Sequence, residues 1–208
     1  MKRIIIDADT GVDDSLAILY ALRSPNFRVE GITTCFGNNN AEQSADNSLR
    51  LIKLSGCGYE VPVAVGANES LEGVFESAPA FIHGDNGIGN VELPKSTQKP
   101  LEEPACDFII RKAEELKGEL IIITTGRMTN LALAFQKARH AFINRSGAQY
   151  FRVTKFDQHG AFCVFCVVTG QGYWAHLISA TACWTHDVLR LETNVAAHYT
   201  DNARLFLS

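Results

Sequence analysis

The run IIIDADTGVDDSLAIL, from Ile4 to Leu19, constrains this chain more than any other stretch. Ile4, Ile5 and Ile6 are β-branched and apolar and read as a short buried strand. Gly11 supplies a sharp turn, and the run Ser15–Tyr20 then starts a helix. The four carboxylates Asp7, Asp9, Asp13 and Asp14 crowd this junction. Asp7 and Asp9 point the same way because strand side chains alternate, whereas Asp13 and Asp14 sit at the helix start, where the dipole favours negative charge. That favour is worth roughly 0.3–1 kcal/mol per charge. Two carboxylates about 4 Å apart repel by about 4 kcal/mol at an effective dielectric near 20. Capping therefore cannot justify all four: either they splay into water as a solvated acidic loop, or a cation holds them. Hard oxygen ligands on a rigid strand–turn–helix suit Ca²⁺ or Mg²⁺, and loops at the edge of an α/β sheet are the usual ligand sites.

The 208 residues, 46% of them hydrophobic and 20% charged, suit one ordinary domain with a proper core. A formal net charge of −4 gives no electrostatic case for nucleic acid as a partner. No apolar run reaches the ~18 residues of a membrane span. Met1-Lys2-Arg3 runs straight into the first strand with no signal peptide, so reduced thiols and a cytoplasmic location are expected. The six cysteines fall at Cys35, Cys57, Cys106, Cys163, Cys166 and Cys183. Cys163 and Cys166 have C-x-x-C spacing, but no second pair completes a zinc site, and buried thiols in an apolar run are the better reading.

In chain order, Phe27–Cys35 reads as a second strand, followed by a loop containing Phe36-Gly37-Asn38 and Asn39-Asn40. Residues 41–54 carry apolar positions at helical spacing (Ala45, Leu49, Ile52), and Val61–Val65 is a third strand. Strand, helix, strand, helix, strand implies a parallel sheet. Residues 68–104 are glycine-rich and polar without clear periodicity, and include Ile82-His83-Gly84-Asp85-Asn86-Gly87; a loop this long is usually functional or mobile. Residues 105–116 read as a helix, Leu120–Thr124 as a buried strand, and Met128–Gln136 as the opening of another helix. The strand ends thus carry Asp7, Asp9, Asn38 and Thr125, and in a parallel sheet those ends share one edge. Asn38 has the alternative of a left-handed turn after Gly37, and Thr125 that of simply starting the next turn. Residues 148–156 read as helix or strand, and Phe162–Val168 is an apolar, β-branched and aromatic run.

The opening stretch closely resembles the N-terminal signature of the inosine-uridine-preferring nucleoside hydrolase family, D-x-D-x-G-x-D-D-x-x-A, and agrees with it at every aspartate and at Gly11 and Ala17. The resemblance is clear over residues 1–136 and implies an α/β fold, an open, mostly parallel, Rossmann-like sheet flanked by helices, in a single nucleoside hydrolase-like domain over 1–208. The activity it implies is hydrolysis of the N-glycosidic bond of ribonucleosides such as inosine or uridine, using Ca²⁺. By match to the family, Asp9 and Asp14 are side-chain calcium ligands and Thr125 gives a backbone carbonyl. Asp13 is the general base and also touches ribose, Asp7 supports the cluster, Asn38 binds ribose, and His83 lines the pocket. The family also implies a homo-oligomer, dimer or tetramer. The chemistry suits these residues: loss of the base leaves a ribose of oxocarbenium character, which carboxylates stabilise, while a metal lowers the pKa of water and a neighbouring carboxylate takes its proton.

Residues 137–208 depart from the family pattern. Family members are longer, and their Gly-Gly strand terminus and N-x-x-x-E-F-N segment are missing here. Thr185-His186-Asp187 resembles the late family pair in which the aspartate completes the metal shell and contacts substrate and the histidine acts near the leaving base, although Val188 stands where the family has proline. A surface His-Asp pair is the plain alternative. An internal deletion or an alternative gene product, joining near Lys137 to Asn144, is the expected origin. Two other functions remain open. One is a catalytically weak or inactive homologue that binds a cation and ribose; the other is an aspartate-nucleophile phosphatase, a poor fit because DADTG places its threonine one residue early.

Overall fold

A computed structural model describes residues 1–71, 78, 80–117 and 119–138, and the backbone of two further strands, Phe151–Phe156 and Phe162–Val167. The first half alternates as expected: β1 (Lys2–Ala8), α1 (Val12–Arg23), β2 (Phe27–Thr34), α2 (Ala41–Ser55) and β3 (Val63–Val65). Then come α3 (Ala80–His83), α4 (Ala105–Glu115), β4 (Leu120–Thr124), α5 (Thr129–Lys137), β5 (Phe151–Phe156) and β6 (Phe162–Val167). The sheet order is β3-β2-β1-β4-β5-β6, with every pairing parallel except the last. The ambiguous segment before Phe156 is therefore strand, and the chain is the expected mostly parallel α/β sheet.

β1 runs through the middle because it is apolar on both faces. Ile4, Ile6 and Ala8 pack with Ile18 and Leu22 of α1 and Leu49 and Ile52 of α2. Ile5 faces the other way, among Phe108 and Ile109 of α4 and Leu131 and Phe135 of α5. Ile4 and Ile5 are fully buried; each such side chain is worth up to roughly 1.5–3 kcal/mol. Gly31 of β2 is required for the second face, since a Cβ there would collide with the Phe108 ring.

The winding decides where a site can form. From β1 the chain passes outward through β2 to β3, then returns through α4 to β4 on the other side of β1. That reversal makes the C-terminal ends of β1 and β4 the switch point of the sheet, the usual ligand position in sheets of this kind. Asp7 lies there, aligned with Thr33 of β2 and Thr124 of β4.

α1 begins at Val12, and Asp13 and Asp14 occupy its first turn, as the sequence reading places them. Two local features go beyond that reading. Asn40 is the N-cap of α2, accepting from the Gln43 N–H at 2.8 Å. The long polar segment contains the single-turn α3, too short to show periodicity. Among the described residues no helix is long and apolar enough to cross a membrane.

Candidate active site

The acidic run distributes its carboxylates among three environments. Asp7 is fully buried. Its Oδ1 accepts from Thr33 Oγ1 at 2.6 Å and from Asn130 Nδ2 at 2.8 Å. Its Oδ2 is buried with no partner among the described residues. Burial pushes the Asp7 carboxyl up to about 6, against the opposing pull of Thr33 and Asn130. Its carbonyl accepts from the Thr125 N–H at 2.9 Å and the Gly126 N–H at 3.3 Å, which seats the β4 turn beside β1. Asp7 thus ties together β1, β2, β4 and α5.

Asp9 and Asp14 form the second environment. Both are buried, at 8% and 3% exposure. Asn38 joins them: its backbone N–H donates to Asp9 Oδ2 at 2.9 Å and its Nδ2 to Asp14 Oδ2 at 3.4 Å. The Gly11 N–H donates to Asp14 Oδ2 at 2.8 Å, closing the first turn of α1. Gly37 lies so close that a Cβ would collide with the Asp9 carboxylate. Burial, then the charge of Asp14, hold the Asp9 carboxyl well above the usual carboxylate range. Asp13, the next residue on α1, is exposed and makes up the third environment.

Around this pair the other strand ends close in. A Cβ on Gly126 would come within 2.8 Å of the Asp9 nitrogen, so the Thr125-Gly126 turn rests on the Asp9 backbone. His83, at the end of α3, is buried, and its Nδ1 accepts from the Val12 N–H at 3.3 Å. Accepting at Nδ1 places the ring proton on Nε2, which is buried with no partner among the described residues. Cys35 lies beneath, fully buried; burial and then Asp7 and Asp9 push its thiol well up, which leaves it inert as a nucleophile.

Asp9, Asp14, Asn38, Thr125 and His83 therefore come to one edge, with Asp7 below and Asp13 on the solvent side. Asn38 is not left-handed: among the described non-glycine residues only Thr10 and Asn90 have positive φ. No three His, Cys, Asp or Glu side chains converge among the described residues. His186 and Asp187 lie outside those residues. What the structure does supply is two buried, mutually repelling carboxylates beside a backbone turn, oxygen donors of the kind a hard divalent cation takes.

Asn130 was not evident as a site residue. It donates to Asp7 and to the Thr34 carbonyl at 2.8 Å, and accepts from the Ala67 N–H at 2.9 Å. An asparagine in the first turn of a helix just after a strand end was its one local signal. Thr10 was also missed. Buried and held at φ +23°, it occupies a conformation that β-branched residues avoid.

Residues 4–148 match the sequence profile of the inosine-uridine preferring nucleoside hydrolases. The chain belongs to that family. Uridine nucleosidase 1 of Arabidopsis thaliana is 42% identical over 136 residues, 65% of this chain and 40% of that protein. The pyrimidine-specific ribonucleoside hydrolase of Escherichia coli is 35% identical over 130 residues, 62% of this chain and 41% of that one. Among solved structures, the purine-preferring ribonucleoside hydrolase from Gardnerella vaginalis superposes with a TM-score of 0.64 at 46% identity, over 68% of this chain and 45% of that one. The chain thus spans about two fifths of the length of the curated relatives it matches. The matched segment holds every described site residue, from Asp7 to Asn130, and stops short of His186 and Asp187.

Proposed function

We infer that this chain hydrolyses the N-glycosidic bond of ribonucleosides, inosine, uridine or related, to ribose and free base. The observation that carries this reading is the buried Asp9–Asp14 pair, bridged by Asn38 at the sheet's switch point, in a chain of this family. Relatives' names include uridine, pyrimidine and purine preferences, so the reading stops at the ribonucleoside class and leaves the base open.

Asp9 and Asp14, with the Thr125 carbonyl and Asp187, are the residues to hold Ca²⁺, which when bound would neutralise the acidic pair, orient the ribose diol and make a water more acidic. Asp13, exposed at the mouth, accepts the proton of the attacking water. Asn38 and Asp187 hydrogen-bond the sugar, and Asp7 keeps the β1 end anchored beneath them. His83 offers its Nε2–H to the bound nucleoside. As the bond to the base breaks, the surrounding carboxylates stabilise positive charge on the ribose, and His186 protonates the departing base.

A nucleoside panel assayed with Ca²⁺ and with EDTA tests this. Turnover should vanish in EDTA, and Asp13→Ala should lose about 10²–10⁴-fold in kcat while its circular dichroism stays that of the parent. Full activity in Asp13→Ala would remove the proposed base. The departure of residues after 148 from the family pattern, with no counterpart of its N-x-x-x-E-F-N segment, favours one second reading: a homologue that binds cation and ribose without turnover. Calorimetric nucleoside binding with no product would select it. We further propose a cytoplasmic homo-oligomer, dimer or tetramer, without nucleic-acid or membrane partners.

A further inference from the structure

α2 contributes none of the residues matched to the family's chemistry, yet its inner face reaches both halves of the candidate site. Asn47 is buried at 1% exposure. Its Oδ1 accepts from Gln43 Nε2 at 3.0 Å, one turn earlier on the helix, and this fixes which way the amide faces. Its Nδ2 donates to the Asn86 carbonyl at 2.8 Å and to the Thr10 carbonyl at 3.4 Å. One amide group therefore spans two separate pieces of chain.

The first piece is the acidic turn. Thr10 lies between Asp9 and Gly11 in the strained conformation described above, and a second α2 contact holds it: Thr10 Oγ1 and Ser48 Oγ are 2.9 Å apart. Ser48 Oγ in turn donates to the Ser44 carbonyl at 2.8 Å, so Thr10 is the donor to Ser48. The second piece is the loop after His83. That loop closes on itself, with Asn90 Oδ1 accepting from the Asp85 N–H at 2.8 Å and Asn86 Oδ1 from the Asn90 N–H at 2.9 Å. The Gly89 N–H then donates to the His83 carbonyl at 2.7 Å. A loop so tied moves as a unit, and Asn47 is its main anchor on α2, with Asn39 Nδ2 adding a longer contact to the same Asn86 carbonyl at 3.4 Å.

We propose that Asn47 is a positioning residue: its amide sets the distance between the Asp9–Asp14 turn and the His83 loop, and keeps Nδ1 of His83 on the Val12 N–H. It touches neither substrate nor cation. The inference rests on the hydrolase reading for its kinetic consequence but not for its geometric one. Asn47→Asp keeps the side-chain shape and replaces two donors with an acceptor that faces two carbonyls.

In the full chain with EDTA, ¹⁵N resonances of the wild-type His83 ring should show a proton fixed on Nε2. In Asn47→Asp they should move toward the average of the two tautomers. With Ca²⁺ and nucleoside, kcat/KM should fall roughly 10- to 100-fold, carried by kcat more than by KM, because misalignment of reacting groups acts on the transition state. Unchanged ring resonances and unchanged kcat/KM, with only a lower melting temperature, would overturn the proposal. If Asn47→Asp does not fold, Asn47→Ser removes the donors without adding charge and is judged by the same readouts; if neither folds, Asn47 belongs to the fold alone and the proposal is lost. A wild type without turnover, whose His83 signals still respond to Asn47→Asp, would refute the hydrolase reading and leave the clamp standing.

Discussion

Asp7 is the residue whose environment most directly tests the site's architecture. It is fully buried and its carboxyl is pushed from the ordinary 3.8 up to about 6 by burial. At 1.36 kcal/mol per pKa unit, that gap corresponds to about 3 kcal/mol. The sign follows from proton binding. The folded, metal-free chain keeps the Asp7 proton up to about pH 6, whereas the unfolded chain releases it near pH 3.8, so the folded state holds more protons between those values. Stability from this residue is therefore complete below the unfolded value and is lost as pH rises through the folded one. Asp7→Asn cannot titrate. It costs a constant amount at every pH, because its new Nδ2 replaces the buried Oδ2, which has no partner among the described residues, and finds no acceptor among them. Urea unfolding followed by circular dichroism, in EDTA, should show the stability difference moving by about 2.4 kcal/mol in favour of Asp7→Asn between about pH 4 and pH 7, the rest of the change lying below pH 4. Other titrating groups are common to both proteins and cancel. Parallel stability curves would refute the assignment of Asp7 as a buried carboxyl deprived of water.

Cation binding at the Asp9–Asp14 pair should appear as thermal stabilisation: Ca²⁺ at a hundred times its dissociation constant adds about 2.7 kcal/mol, or roughly 5–10 °C in Tm for a chain of this size. Asp14→Asn should remove most of that gain in scanning calorimetry, and an equal gain in both proteins would place the ion elsewhere. Phe108→Ala should cost about 3–5 kcal/mol in urea unfolding, because the ring is fully buried against the bare backbone of Gly31 and nothing can collapse into its place. A loss under 1 kcal/mol would mean that this face of the sheet is not packed as described.

Short-range chemistry made much of this legible. The Ile4–Ile6 run, the Gly11 turn and the spacing of Ala45, Leu49 and Ile52 each act within a few residues, so β1, α1 and α2 could be read directly. The single-turn α3 could not, since four residues carry no period and His83 ends it only because the Gly84–Asn90 loop folds back on itself. Asn130 was invisible for a different reason. Its partner Asp7 is 123 positions away, and nothing local distinguishes it from an ordinary first-turn asparagine.

By itself the sequence determined that strands alternate with helices in a parallel sheet and that four aspartates gather where the first strand meets the first helix. Those outcomes depend on periodicity and turn geometry, which are local. Only the tertiary structure decided what each aspartate experiences. Asp7 loses water because α5 brings Asn130 over it, Asp9 and Asp14 are paired because the loop after β2 lays Asn38 across both, and Asp13 stays exposed on the outer side of α1. Charge in a protein is governed by distance and solvent access, and both are settled by which distant segments the reversal of the sheet at β1 packs together.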